Sequence, residues 1–293
     1  MPTLYTHGSI FHADEVIGAA LLVYLGEIAI TDIRRVNTLP ATLASGDFVL
    51  DIGGKLVVED GVTFLDHHQD KELQCAAALV YKHFDARWTP AQKKAIERFL
   101  DGVDKDDRGL AYHAKGTMTL SNIIAGLNPV GEATEDMRTA NFIEAATVFL
   151  AFFRRMVAYQ ELVESQAALV SALVAQNTPY VIAESHLPKL LRSLEGTLTR
   201  HALYPSLRGG WNLQAVCIQT TKTPVQVIPA DMAGATFVHA TGFIAGFATK
   251  EDAIAAAEIL AKVEIFVPVK AEEEIVIPLP GAPKSSANNP FGV

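Results

Sequence analysis

Residues 55–68 read KLVVEDGVTFLDHH, and how this stretch folds decides what surrounds it. Two runs rich in β-branched residues flank Asp60-Gly61, a dipeptide suited to a two-residue hairpin turn because both positions need positive φ. The second run stops on Asp66, His67 and His68, an acid and two imidazoles side by side. Taken alone, such a triplet is most simply a polar turn. Its meaning depends on the rest of the chain.

Working outward, the hairpin is preceded by TLYTH (3–7), an apolar helical stretch from Asp14 to about Leu25, IAITDIRRV (28–36) and FVLDIGG (48–54). Strands alternating with helices predict an α/β fold: a mostly parallel sheet with helices on both faces. Further helices are expected at about 74–84 and 90–101, the second opened by Thr89-Pro90, a capping residue with proline at the first helical position. A long helical run follows over about 133–176. Beyond it PYVIAE, WNLQAVCIQ, ATFVHATGFIAGFA and a helix over about 250–262 describe a smaller α+β unit. The expected division is a catalytic domain over 1–135, a connecting helical segment over 136–178, a C-terminal substrate-binding domain over 179–262 and a poorly ordered tail over 263–293.

Composition sets limits on function. The chain has 293 residues, 49% hydrophobic and 19% charged, which fits a globular protein of about two domains. No apolar run approaches a membrane span, and MPTLYTHGSIFHADE lacks the basic start and apolar core of a signal peptide, so a cytoplasmic protein is expected. The cysteines, Cys75 and Cys217, form no CxxC pair and read as core residues. A net charge of −9 disfavours an extended duplex DNA footprint but leaves small or single-stranded phosphate ligands open.

In open α/β sheets the ligand crevice lies at the carboxyl ends of the strands, and there this sequence repeatedly places imidazoles and carboxylates. His7, His12 and Asp14 follow the first strand, Asp51 follows FVL, Asp66, His67 and His68 follow the hairpin, and Asp104 and Asp107 lie in GVDKDDRG, a loop or helix start beyond. Helix capping would account for His7, His12 and Asp14, and a solvated turn for Asp104 and Asp107. Asp51 is harder to explain that way, since Gly53-Gly54 behind it allow close approach to the backbone. Together the four clusters favour divalent metal, because nitrogen and oxygen donors of this kind suit Mn²⁺, Fe²⁺, Co²⁺ or Zn²⁺ and carboxylates bridge two ions. Ions about 3.5–4 Å apart activate water and stabilise both ends of an in-line displacement at phosphorus.

The order HGSIFHADE, DIGG, DHHQ, LVYKHF, VDKDDRG, LNP, WNLQAV and FVHATGFIAGF resembles the MYG1 family, also known as the UPF0160 group, over about residues 3–262. Its members are similar to DHH phosphoesterases. The resemblance implies a DHH-like catalytic domain, a smaller C-terminal domain and metal-dependent phosphoester hydrolysis, with eukaryotic members described as 3′–5′ RNA exonucleases. It places His7, His12 and Asp51 on one ion and Asp14, Asp51, His67 and Asp104 on the other, with Asp51 bridging and Asp107 as the alternative to Asp104. His68 then faces the scissile phosphate, oriented by Asp66. In the second domain His239, Thr241, Gly242 and Gly246 would meet the distal part of the substrate across a cleft that opens and closes. Arg108, Lys222 and Lys250 are candidate anion contacts. Two departures from the pattern stand out: the first motif has one residue more than DHH enzymes at large and an imidazole where their first acid stands, and Ala245-Gly246 replaces a Gly-Gly.

The expectation is therefore a hydrolase using two divalent ions, Mn²⁺ first with Mg²⁺, Co²⁺ or Fe²⁺ as alternatives, acting as an exonuclease on RNA or short oligonucleotides. A small-molecule phosphatase or pyrophosphatase and a non-catalytic metal-binding regulator are the competing readings. An oligomer is compatible with the sequence, and no membrane partner is expected.

Overall fold

A computed structural model describes residues 2–114 and 116–263. The chain divides into two compact units, Met1–Ser165 and Gln166–Val293. The expected tail, from Glu264 onward, lies outside the described residues.

In the first unit β1 (Leu4–His7) leads into α1 (Ala13–Leu25), a 3₁₀ turn (Ile30–Asp32) and β2 (Ile33–Val36). The strand expected over 28–36 thus begins only at Ile33, because Asp32 N–H donates to the Ala29 carbonyl and closes a turn first. Then come β3 (Phe48–Leu50), β4 (Leu56–Glu59), β5 (Val62–Leu65), α2 (Ala76–His83), α3 (Pro90–Asp107), α4 (Leu120–Ala125) and α5 (Glu135–Ser165). The sheet order is β2-β1-β3-β5-β4. All pairings are parallel except β4–β5, the hairpin around Asp60-Gly61.

Side chains alternate across a strand, and the two faces of this sheet are covered differently. Leu4, Ile33, Phe48, Leu50 and Leu65 join the main core with α1, α2, α3 and α5. Helix α1 is buried from Ala13 to Leu22, as its run of alanines and branched aliphatics demands. On the opposite face Val49, Val62 and Phe64 pack with Tyr5, Leu39, Leu43 and Ile52. The apolar cover of that face, among the described residues, comes from loops; the connection 37–47, NTLPATLASGD, is too rich in breakers to form a helix. Helix α3 also runs six residues past its expected end at 101, carrying Asp104 and Asp107 in its last turn.

The helical run expected over 133–176 is two helices, α5 and α6 (Ala167–Gln176), separated at Gln166. The second unit continues with β6 (Tyr180–Ile182), α7 (Leu190–Ser193), β7 (His201–Pro205), β8 (Trp211–Ala215), β9 (Ala235–Val238), β10 (Ile244–Phe247) and α8 (Lys250–Ala261). Its sheet order is β6-β7-β8-β10-β9, with β6–β7 parallel and the rest antiparallel. Strand β7, HALYP, was not expected. It is covered on both faces, Leu203 against α8 and Ala202 with Tyr204 against α6 and α7, so it lacks the alternation that marks a half-exposed strand. No helix among the described residues is long and apolar enough to cross a membrane.

Candidate metal centre

Parallel register brings the polar clusters to one level. Thr6 pairs with Leu50 and Leu50 with Leu65, so the next residues, His7, Asp51 and Asp66, leave three adjacent strands side by side. Asp51 N–H donates to the Leu65 carbonyl at 3.2 Å, extending the ladder by one bond before the chain turns. Asp51 takes φ +59°, a left-handed conformation uncommon outside Gly, Asn and Asp and frequent at functional sites.

Around Asp51 the side chains converge. His7 Nε2 lies 3.4 Å from Asp51 Oδ2, and His67 Nε2 lies 3.2 Å from Asp51 Oδ1, 3.4 Å from Asp107 Oδ2 and 3.9 Å from Asp14 Oδ2. Three groups have donor atoms within 4.8 Å of one another: His7, His12 and Asp51; Asp51, His67 and His68; and His12, Asp14 and Asp107. Asp51 and His12 each belong to two of them.

The electrostatics show what this cluster lacks. Asp14 Oδ1, Asp51 Oδ1 and Asp107 Oδ2 are buried oxygens with no well-aligned hydrogen-bond donor, His67 Nε2 meeting the last two as an ion-pair partner only. Buried carboxylates are normally paired, hydrogen-bonded or bound to metal. Burial, followed by the charges of Asp51 and Asp107, pushes the Asp14 carboxyl well above the usual range, and burial also raises Asp107. Burial works to raise Asp51 too, but His67 and His7 outweigh it and hold this carboxyl well below its ordinary value. Burial disfavours a charged His7, yet Asp51 and Glu15 prevail and push its imidazole up to about 10. His67 is raised chiefly by Asp51. The centre therefore demands positive charge. Protons on His7 and His67 supply part of it, and divalent ions with neutral imidazoles and ionised carboxylates would supply it in full. The donor set fits such ions.

A layer of support lies behind. Asp66, 1% exposed, accepts from Gly54 N–H at 2.6 Å through Oδ2, and from the His68 backbone N–H at 3.1 Å and His68 Nδ1 at 2.7 Å through Oδ1. It therefore holds the His68 ring and the Gly53-Gly54 loop together. Two further supports were not anticipated. Glu15, fully buried, accepts from Thr6 Oγ1 and from the His12 N–H at 3.0 Å each and lies 2.6 Å from His7 Nε2. An acid in the first turn of a helix is ordinary in sequence, which hides this role. Asn128, from the LNP motif, accepts from Phe11 N–H at 3.0 Å and donates to Phe11 O at 2.9 Å, pinning the HGSIFHADE loop.

Other candidates have partners of their own. Asp104 Oδ1 accepts from Cys75 N–H at 2.7 Å, at the start of α2, and its Oδ2 from Arg108 at 3.3 Å. Arg108 also donates to the Lys71 carbonyl at 2.9 Å. In the second unit His239 Nδ1 and Thr241 Oγ1, 3.0 Å apart, sit in the β9–β10 turn. Gly242 is required by packing, since it has φ +64° and a Cβ there would stand 2.3 Å from Val227 Cγ1. Gly246 lines a cavity of about 570 Å³. Lys250 pairs with Glu184 at 2.5 Å, and Lys222 donates to Gln219 at 3.4 Å.

No solved structure matches the chain. A family model described as an uncharacterised protein family, UPF0160, matches residues 3–226. Similar curated proteins include a MYG1 protein of Schizosaccharomyces pombe, 28% identical over 85% of this chain and 94% of its own length. The MYG1 exonucleases of Mus musculus and Homo sapiens are 29% and 28% identical, over 86% and 87% of this chain and 83% and 85% of theirs. The matched span takes in every residue of the centre described above, and on that evidence the chain belongs to the UPF0160, or MYG1, family.

Proposed function

We propose that this chain is a metal-dependent phosphoesterase of nuclease type, hydrolysing phosphodiester bonds in RNA or short oligonucleotides with two divalent ions. The observation that carries the reading is the convergence of three buried carboxylate oxygens with no well-aligned donor, on Asp14, Asp51 and Asp107, upon the imidazoles of His7, His12 and His67. The exonuclease names of the mammalian relatives support a nucleic-acid substrate.

In this reading His7, His12 and Asp51 hold one ion, and Asp14, Asp51, His67 and Asp107 the other. Asp107 takes the place first given to Asp104, whose oxygens serve Cys75 and Arg108. Bound ions of this kind activate water and stabilise charge on the phosphoryl oxygens. The chain's own residues do the rest. Asp66 fixes the ring of His68 through Nδ1, which leaves Nε2 of this largely exposed side chain for the substrate. With its Nδ1 held by Asp66, His68 would donate from Nε2 to a non-bridging phosphate oxygen, stabilising charge as it develops. The Gly8 carbonyl holds His7 through Nδ1, which leaves Nε2 for the ion, and Asn128 and Glu15 fix the backbone that presents His12.

The test is purified protein with Mn²⁺ against labelled oligoribonucleotides, oligodeoxynucleotides, cyclic dinucleotides and pyrophosphate, with metal content by elemental analysis. Shortening of oligoribonucleotides by a protein that binds two equivalents of metal is expected. Turnover of pyrophosphate alone, or metal binding without any turnover, would refute the nuclease reading.

A further inference from the structure

The second unit contains a row of four residues that nothing in the proposed metal chemistry uses. Tyr204 pairs with Asn212, Asn212 with Gly246, and Gly246 with Phe237, so the four lie directly opposite one another across β7, β8, β10 and β9. Directly paired residues point to the same face. The row therefore has an aromatic ring at each end, with an amide and a missing side chain between them. Neighbouring strands are about 4.8 Å apart, so the absent side chain leaves a slot one strand wide between Asn212 and Phe237. Gly246 does not need positive φ, and a Cβ there would approach Thr236 Oγ1 no closer than 3.4 Å. The position tolerates a side chain sterically; what glycine leaves is open space beside a register shift at Gly246–Phe247.

That space belongs to the cavity of about 570 Å³, within the range of about 300–1,000 Å³ usual for small-ligand sites. Phe237 is 54% exposed, so its ring is open to a ligand in this cavity. Arg208, on the β7–β8 loop, lines the same cavity. Its one hydrogen bond among the described residues is from its backbone N–H to Ser206 Oγ, which leaves the guanidinium available.

We propose that this cavity binds one nucleotide of the substrate, its base stacked on Phe237 over Gly246, its edge hydrogen-bonded by the Asn212 amide and its phosphate paired with Arg208. A ring face, an amide with both donor and acceptor, and a planar cation are the three elements by which single-stranded nucleic acid is held. An apolar peptide side chain would use the aromatic wall but not Arg208, and a bare anion would use Arg208 but not Phe237. The choice of ligand rests on the nuclease reading, whereas the test does not.

Calorimetric titration of the full chain in EDTA, which silences metal-dependent turnover, compares adenosine 5′-monophosphate, ribose 5-phosphate and inorganic phosphate. Adenosine 5′-monophosphate should bind at least about tenfold more tightly than ribose 5-phosphate, since base stacking is the added interaction. Phe237→Ala should weaken the nucleotide by about 5- to 150-fold and leave ribose 5-phosphate unchanged; Arg208→Gln should weaken both. Phe237 is largely exposed, so the variant should keep its fold, and an unchanged unfolding temperature verifies this. Equal affinity for the two phosphates, no nucleotide binding at millimolar concentration, or nucleotide binding indifferent to Phe237→Ala overturns the proposal. Mn²⁺-dependent hydrolysis by the wild type is scored separately. Nucleotide binding without hydrolysis sinks the nuclease reading and leaves this site standing, while hydrolysis without nucleotide binding does the reverse.

Discussion

Asp14→Asn should make the metal-free protein more stable and at the same time abolish stabilisation by metal. Asp14 is completely buried, its Oδ2 accepts from Ala76 N–H at 3.1 Å and its Oδ1 has no donor. Burial and the neighbouring acids raise its carboxyl well above the usual range. A carboxyl whose folded pKa lies above its unfolded value weakens folding as pH rises past the unfolded value, so at neutral pH the penalty is present. Asparagine is nearly isosteric, keeps an oxygen for Ala76 and places an N–H₂ beside the carboxylate of Asp107. Satisfying buried groups of this kind is worth about 1–3 kcal/mol, and at about 2–4 °C per kcal/mol for a unit of this size the unfolding temperature in EDTA should rise by about 2–12 °C. The wild type should in turn gain about 2.7 kcal/mol with free Mn²⁺ at one hundred times its Kd. The variant should gain almost nothing, because an amide cannot replace a charged ligand. Scanning calorimetry with EDTA and with Mn²⁺ measures both quantities. A lower unfolding temperature for the metal-free variant, or a preserved Mn²⁺ gain, would refute the reasoning.

Asp51→Asn should lose bound metal and hydrolysis together, and full occupancy by elemental analysis would contradict a bridging role. His67→Ala should lose metal, whereas His68→Ala should keep it and lose turnover by about 10²–10⁴; unchanged metal content and hydrolysis in both would reduce the triplet to a polar turn. Asp66→Asn should cost about 1–3 kcal/mol in urea unfolding, because Gly54 N–H and the two His68 donors lose a charged acceptor. Asp104→Asn should lower stability with metal affinity preserved, and Asp107→Asn should lower metal affinity without loss of stability; the reverse pattern would exchange the two roles. His7 is raised from 6.5 to about 10, so its contribution to stability is complete below 6.5 and lost as pH rises through about 10. A metal ion must displace that proton, so Mn²⁺ affinity should climb with pH inside this window, and a flat profile in calorimetric titration would count against His7 as a ligand.

The sequence by itself determined the parts that depend on local pattern. The Asp60-Gly61 turn and the Thr89-Pro90 helix start are short-range signals, and the structure places both of them. The histidines and acids at the ends of β1, β3 and β5 were legible because a parallel sheet with matched register must bring such residues to one level. What the sequence could not decide were choices made by partners distant along the chain. Asp104 and Asp107 are three residues apart on one helix, and the assignment of Asp104 to Cys75 N–H follows only from the packing of α2 against α3. An acid-rich helix end also opposes the helix dipole, yet α3 continues through Asp107. Glu15 occupies an ordinary first-turn position, and only the fold sets His7 against it, while Asn128 acts on a residue 117 positions away. Gly242 and Gly246 read alike in FVHATGFIAGF, but one is demanded by a left-handed backbone against Val227 and the other leaves a slot in a sheet face. Burial and register distinguish them, and both are properties of the tertiary structure.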